Sequence, residues 1–377
     1  MKSWAIVVGI NVYHRRAAQK PLDGAVADAC DFADWVLDPL GGNVPPERLF
    51  FWTYPWPVAL SAGRLKDYLE GELPSWFIPD DKKDSDWQPP DNARAPKATE
   101  ITSTIETVGR GAYTTAFVDN DEEVRRVYVF LAGHGIRARI YGRGQDETCF
   151  MAGDFHPKSS ELAAGLVPCE SFRKALLHER FNEALLFADC CRSEASRLMT
   201  QVQPVSDFDG DPIAPWGMAF AAQEGQPAYE TCTEPYRGVF TKALMDGLRT
   251  HRPGSAGELY AAPLRDFIHS NIKSYTVNDQ LPQLSYRPDP HGPLIVTGPA
   301  GLPNGPELNV STLANGTRLI LKGGDNKPVA DMPAFVVTGP TLSLPPLPES
   351  LYVIEIDDGS GRHRMFVQPT REKIHVP

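Results

Sequence analysis

The chain has 377 residues, 42% of them apolar and 23% charged, which is enough for one large domain and a smaller one, or for two of middling size. This composition excludes bulk disorder and fibrous repeats. The 37 basic and 48 acidic residues give a net charge of −11, so we expect no nucleic-acid partner.

The six cysteines are few for this length, and none stands in a C-x-x-C spacing. Neither a disulfide framework nor a zinc site is therefore indicated. No apolar run approaches the roughly 18 to 20 residues of a membrane span, and no small-residue cleavage site follows the first apolar segment. We expect a cytoplasmic protein with no membrane partner, no metal and no other cofactor.

Strand and helix patterns alternate along most of the chain. Residues 4–10 form a continuous apolar run, typical of a strand buried on both faces. Residues 21–42 carry apolar residues at helical spacing between Pro21 and Gly41-Gly42, which predicts a helix of about five turns. Further strands are predicted at 48–52, 127–132, 184–188 and 216–222, and further helices at about 60–69, 98–108, 170–178, 237–249 and 262–274. The alternation predicts an α/β fold with a mostly parallel sheet flanked by helices.

Two other segments indicate the domain organisation. Residues 71–97 are rich in Pro, Asp and Lys and have no regular period, so we expect an exposed insertion there. The Pro/Gly-rich stretch 287–306 predicts a boundary between a first domain, 1–297, and a second, 307–377. The second contains short β-branched runs separated by turn residues, which predict a small β-sandwich-like domain.

Two predicted strands end in residues that carry chemistry: one runs into Gly133-His134-Gly135 and the other into Asp189-Cys190-Cys191-Arg192. The carboxyl ends of parallel strands form the ligand crevice, so a His and a Cys meet there if the strands are neighbours. A thiolate is a nucleophile, an imidazole can take up its proton, and the Gly135 amide could donate to an oxyanion. Each residue alone is more often a loop histidine or a small buried cysteine, but together they predict a Cys/His site.

These motifs resemble, in order, the caspase and metacaspase superfamily of cysteine endopeptidases. The resemblance covers residues 1 to about 297, through WAIVVGINVY, LDGAVADACDFADWV, VYVFLAGHG, FADCCRSE, MAFAAQEGQPAYE, GVFTKALMDGL and QLPQLSY. Its specific parts are the His-Gly and Asp-x-Cys blocks. It implies that His134 is the catalytic histidine, that Cys191 and not Cys190 is the nucleophile, and that the amides of Gly135 and Cys191 form the oxyanion hole.

The sequence departs from the family at two places. Ser193-Glu194 replaces the usual glycine after the nucleophile, and Leu22-Asp23-Gly24 lacks the arginine with which caspases grip an aspartate. Metacaspase-like sequences instead have two pocket carboxylates at the positions of Asp28 and Asp189. The resemblance therefore implies cleavage after Arg or Lys, whose cation would offset two repelling carboxylates. From the pattern alone, Asp28 is a solvated acid on a helix face.

Two smaller motifs allow more than one interpretation. The block MAFAAQEGQPAYE resembles the region where a substrate pairs as an added strand, which would put Ala228, Tyr229 and Glu230 beside the peptide; a core strand and turn is the alternative. The segment 207–211 (DFDGD) stacks three acids but lacks the glycine and glutamate spacing of an EF-hand. Calcium activation is therefore only weakly indicated.

The sequence predicts a cysteine endopeptidase that acts on a protein substrate. The resemblance further suggests a regulated switch in cell death or prokaryotic defence, with an activating or inhibitory protein partner. A caspase-like binding or scaffold module with dispensable chemistry is the alternative, although such a module would usually have lost His134 or Cys191. A small-molecule thiol hydrolase is disfavoured because the blocks match an endopeptidase throughout.

Overall fold

The structure is a computed structural model. It describes residues 1–13, 20–57, 63–70, 95–106, 124–156, 164–178, 181–193, 201–205, 212–253, 258–288, 290–296, 307–324, 326–329, 334–344, 347, 350–368 and 374–376. The chain divides into two compact units, one of Met1–His251 and Leu259–Val296 and the other of Arg252–Glu258 and Thr297–Pro377. None of the helices in these described ranges has the length and apolar character needed to cross a bilayer.

The first unit is built around a six-stranded sheet. The strands of this unit are β1 (Lys2–Ile10), β2 (Leu49–Tyr54), β3 (Arg125–Ala132), β4 (Gly135–Ile140), β5 (Asp146–Met151), β6 (Leu166–Pro168), β7 (Glu183–Asp189), β8 (Gln201–Val202), β9 (Trp216–Phe220), β10 (Leu259–Tyr260), β11 (Gln283–Arg287) and β12 (Leu294–Val296). The spatial order of the central sheet is β11-β9-β7-β3-β1-β2. All its neighbours are parallel except β11, which runs antiparallel to β9.

Helices cover both faces of this sheet. They are α1 (Ala25–Leu37), α2 (Arg64–Glu70), α3 (98–106), α4 (Cys169–His178), α5 (Val239–Thr250) and α6 (Ala261–Asn271). On β1, Ala5 and Val7 point towards α1, α2, α5 and α6, whereas Ile6 and Val8 point towards α3 and α4. A strand buried on both faces must be apolar throughout, which explains the continuous apolar runs. The predicted α/β fold, with a mostly parallel sheet flanked by helices, is confirmed.

Helix α1 has 13 residues and is shorter than the predicted helix at 21–42. At its start, the Asn11 side chain accepts the N–H of Val26 at 2.9 Å, which fixes the beginning of the helix against the loop after β1. At its end, Asp38 has an extended backbone (φ −72°, ψ 126°), the conformation favoured before a proline such as Pro39.

A second, smaller sheet was not predicted. It has the order β6-β5-β4-β8 and begins immediately after His134. Its strands carry many polar residues and therefore lack the continuous apolar run of the central strands. The alternation of Ile136, Ala138 and Ile140, all buried, is the signal that could have identified β4.

The predicted insertion at 71–97 lies outside the described residues except for its last three. Ala95 is 3% exposed, and the carbonyl of Pro96 accepts the N–H of Gly153 at 2.7 Å. These two residues are therefore packed, whereas Lys97 is exposed. The exposed insertion at about 71–97 stays a prediction.

The second unit is an all-β structure. Its strands are β13 (Glu307–Asn309), β14 (Arg318–Gly323), β15 (Phe335–Val336), β16 (Thr341–Ser343), β17 (Ser350–Ile356), β18 (His363–Gln368) and β19 (Ile374–His375). They form sheets of order β16-β13-β19 and β15-β14-β17-β18, mostly antiparallel. Leu308 from the first sheet and Leu319 and Ile354 from the second share one core. The predicted small C-terminal all-β structure is confirmed.

Candidate active site

The two strands expected to carry the chemistry are neighbours. β3 and β7 pair in parallel with Ala132 opposite Asp189, and the N–H of Gly133 donates to the Asp189 carbonyl at 3.1 Å. His134 and Cys191 each stand two residues beyond this last pair. The structure therefore brings both residues to the same edge of the sheet.

His134 is held at its backbone and at its ring. Its N–H donates to the hydroxyl of Tyr13 at 2.8 Å, and its Nε2 lies 2.8 Å from the carbonyl oxygen of Lys20. Because a carbonyl only accepts, Nε2 carries the proton and Nδ1 has the lone pair of the neutral ring. Burial lowers the pKa of His134, which favours this neutral form. The imidazole is thus prepared to accept a proton at Nδ1.

The two adjacent cysteines differ in environment. Cys190 is 1% exposed, whereas Cys191 is only half-buried. The Sγ of Cys191 receives the N–H of Ala228 at 3.4 Å and lies 3.7 Å from the Ala228 carbonyl. Burial raises the pKa of both thiols. Of these two thiols, that of Cys191 is therefore the more accessible, and its raised pKa favours the protonated form.

Gly135 has no room for a side chain. A Cβ built there would lie 2.6 Å from the Cys190 Sγ and 2.6 Å from the Cys191 carbonyl oxygen. The N–H of Arg137 donates to the Ser193 carbonyl at 3.1 Å. Since alternate N–H groups of a strand point to the same edge, the Gly135 N–H faces the Cys191 loop as well. That orientation suits an oxyanion donor.

Arg192 anchors the loop that follows Cys191. Its side chain is nearly buried and stacks 4.3 Å from the ring centre of Phe220. Its guanidinium donates to acceptors on three different elements: Thr148 Oγ1, the Ala222 carbonyl and Gln283 Oε1. The sequence did not indicate these contacts. They hold the loop although it has Ser193 in place of the glycine that the resemblance led us to expect; Glu194 lies outside the described residues.

Asp28 and Asp189 approach each other on either side of Gly238. A Cβ built on Gly238 would lie 2.1 Å from the Asp189 Oδ2 and 2.8 Å from the Asp28 Oδ2. Asp28 is 1% exposed, so the interpretation of a solvated helix-face acid is wrong. Burial and the repulsion between the two carboxylates raise the pKa of Asp28, and burial also raises that of Asp189.

Both carboxylates already have partners within the chain. Asp28 accepts from Arg237 Nε at 2.5 Å and from the Gly238 N–H at 2.7 Å. Asp189 accepts from the N–H of Thr241 at 3.0 Å and from its hydroxyl at 2.6 Å. The expected pocket of two open carboxylates is therefore not open at Asp28 in this structure, because the Arg237 guanidinium occupies it.

Ala228 and Tyr229, two of the residues expected beside the peptide, have different partners in the structure. Ala228 contacts Cys191, as described above. Tyr229 donates its N–H to Gln280 Oε1 at 3.0 Å and accepts the Val239 N–H at 3.0 Å, so both of its backbone groups have partners within the chain. An added substrate strand would have to replace these bonds to pair at Tyr229.

Glu230 stands at the edge of the site. Its carboxylate accepts the N–H of Asp23 at 3.1 Å and that of Gly24 at 2.6 Å, just before α1 begins. Its charge raises the pKa of His134 against the effect of burial, and also that of Asp189. Glu230 is therefore a negative group close to both His134 and the pocket.

The acidic segment 207–211 lies outside the described residues. Within the ranges that are described, no three His, Cys, Asp or Glu side chains are grouped as metal ligands would be.

The chain is similar to a known protein sequence and to a number of solved structures. No family model matches the chain. Over 259 residues, or 66% of its length, the chain is 29% identical to a probable protease from a Desulfuromonadales bacterium, and it spans 26% of that relative. A Geobacter sulfurreducens protein of known crystal structure has a TM-score of 0.42 and 15% identity, over 77% of this chain and 96% of that one. Pro-sf-caspase-1 has a TM-score of 0.38 and 14% identity, over 75% and 90%.

Proposed function

We propose that this protein is a cysteine endopeptidase in which Cys191 is the nucleophile and His134 the general base and acid. The observation that supports the proposal is the position of the two residues: His134, with a neutral ring, and Cys191, with a half-buried thiol, each stand two residues beyond the paired ends of two adjacent parallel strands. Similarity to a probable protease over two thirds of the chain supports the same class of activity.

The reaction proceeds in two steps. His134 Nδ1 takes the thiol proton as Cys191 Sγ attacks the scissile carbonyl carbon, and the N–H groups of Gly135 and Cys191 stabilise the oxyanion. The carbon–nitrogen bond then breaks, and His134 gives its proton to the leaving amine. Water hydrolyses the resulting thioester, again with His134 as base, and restores the thiol. Because the resting pair is neutral, proton transfer accompanies attack.

The proposed substrate is a protein cleaved after Arg or Lys. Three carboxylates, those of Asp28, Asp189 and Glu230, lie around the pocket and favour a cationic side chain. The biological role that we propose for such an enzyme is a regulated switch in cell death or defence. An activating or inhibitory protein partner, or calcium, would control its activity.

The test is cleavage of a peptide library by the purified full chain, with and without calcium, followed by mapping of the cleaved bonds. We expect cleavage after Arg or Lys, lost in Cys191→Ala and His134→Ala and largely retained in Cys190→Ala. Cleavage after Asp or after apolar residues at equal rates would contradict the specificity. A chain that cleaves nothing but binds a protein partner would instead be a scaffold module.

A further inference from the structure

A row of ion pairs joins α1 to the start and the end of α5. Arg237, just before α5, bonds through Nε to Asp28 and through a terminal nitrogen to Asp31, each at 2.5 Å. Arg249, in the last turn of α5, also pairs with Asp31 but not with Asp28. Two arginines thus share one row of α1 carboxylates, and only Arg237 reaches the carboxylate beside Asp189.

Arg237 occupies the position that the proposed function assigns to a basic side chain of the substrate. Asp28 Oδ1 takes the Arg237 guanidinium and Oδ2 takes the Gly238 N–H. The guanidinium of a substrate arginine has the same donors as Arg237 and would bind the same oxygen, Asp28 Oδ1. Because Asp28 is buried and Arg237 already covers its Oδ1, a substrate guanidinium has to displace Arg237 to pair with this oxygen. The chain and its substrate therefore compete for the Asp28 carboxylate.

We propose that Arg237 is an internal occupant of the acidic pocket, which excludes a basic substrate side chain until the Arg237 guanidinium leaves Asp28. This inference rests on the proposed function. It makes Arg237 the residue that sets the affinity for a cationic substrate, and it assigns the pocket a closed resting state.

The surroundings of Arg237 allow such a displacement. Its side chain is 19% exposed, whereas that of Asp28 is 2% exposed, so the arginine has a route to solvent and the carboxylate has none. Asp31, 18% exposed, can keep one end of the guanidinium when the other end is displaced. While Arg237 is displaced from Asp28, the ion pair of Arg249 with Asp31 still joins α5 to α1. The pair at Asp28 can therefore open without separating the two helices.

The test uses benzamidine, a small cation with a guanidinium-like head, and measures its binding to the full chain by calorimetry. Arg237→Gln removes the competitor, and we expect benzamidine to bind about tenfold or more tightly than to the wild type. Arg249→Gln is the matched control because it removes the other arginine of the same row, and it should leave the affinity unchanged. Adding Asp28→Asn to Arg237→Gln should abolish the gain.

Urea unfolding first establishes that each variant is folded. If Arg237→Gln does not fold, Arg237→Lys replaces it. The expected gain is then smaller, because lysine keeps a cation near Asp28 but lacks the planar guanidinium that bridges Asp28 and Asp31. Benzamidine binding no tighter in the Arg237 variant, or equally tighter in the Arg249 variant, would overturn the inference.

Cleavage assays separate this inference from the proposed function. If the enzyme acts as proposed, Arg237→Gln should raise kcat/KM for an arginyl peptide while the rate of Cys191 alkylation by neutral iodoacetamide stays unchanged. A gain in benzamidine affinity with no peptide cleaved by any variant would contradict the peptidase and still support the internal occupant.

Discussion

Replacing Gly135 by alanine places a methyl group against the nucleophile loop. The new Cβ would lie 2.6 Å from both the Cys190 Sγ and the Cys191 carbonyl oxygen, and 2.9 Å from the Cys190 Cβ. Carbon atoms in contact prefer about 3.5 to 4.0 Å, so the loop must retreat by roughly 1 Å. Overpacking of this kind costs about 1 to 3 kcal/mol of unfolding free energy. A displacement of about 1 Å at the reacting group lowers kcat/KM about 100-fold.

Urea unfolding and peptide cleavage measure the two effects. Gly339→Ala is the control, since a Cβ there meets nothing within 4 Å, and it should change neither quantity. In Gly135→Ala combined with Cys190→Ala, the clash with Sγ disappears but the clash with the Cys191 carbonyl remains. We expect part of the stability to return and the activity to stay low. Wild-type stability together with activity within about threefold in Gly135→Ala would refute the reasoning.

Three further predictions concern the buried ion pair and the two reactive groups. Glu183→Gln leaves the buried charge of Arg126 uncompensated and should cost about 3 to 5 kcal/mol in urea unfolding, whereas Glu183→Leu with Arg126→Met should recover most of it. Because burial raises the pKa of Cys191, its alkylation by iodoacetamide should be slow at neutral pH and increase through and above the free-cysteine value of about 8.5; a rate independent of pH would mean a preformed ion pair. Tyr13→Phe removes the acceptor of the His134 N–H and should lower kcat/KM about fivefold, with high-pH alkylation unchanged.

The central sheet could be predicted because its signals are local. β1, β3 and β7 are continuous apolar runs, as strands covered on both faces must be. The placement of His134 and Cys191 at the same edge of the sheet depended on the same signals, since each follows a predicted strand. The polar sheet around β4 has no such run, and the prediction missed it.

The partners of the site residues could not be predicted, because they lie far apart in the sequence. Asp28 and Arg237 are 209 residues apart, and the carbonyl that holds the His134 ring belongs to Lys20, 114 residues away. Every residue has a backbone carbonyl, so the identity of residue 20 does not show that its carbonyl binds the His134 ring. The family resemblance implied two pocket carboxylates, but no local pattern in the sequence shows that an arginine of the same chain pairs with one of them.

The most direct test of the account is labelling of the wild-type chain with an arginyl chloromethyl ketone, followed by peptide mapping of the modified residue. We predict that the label is found on Cys191 alone, and that His134→Ala and Cys191→Ala no longer cleave arginyl peptides. Labelling of Cys190, or peptide cleavage that survives Cys191→Ala, would contradict it.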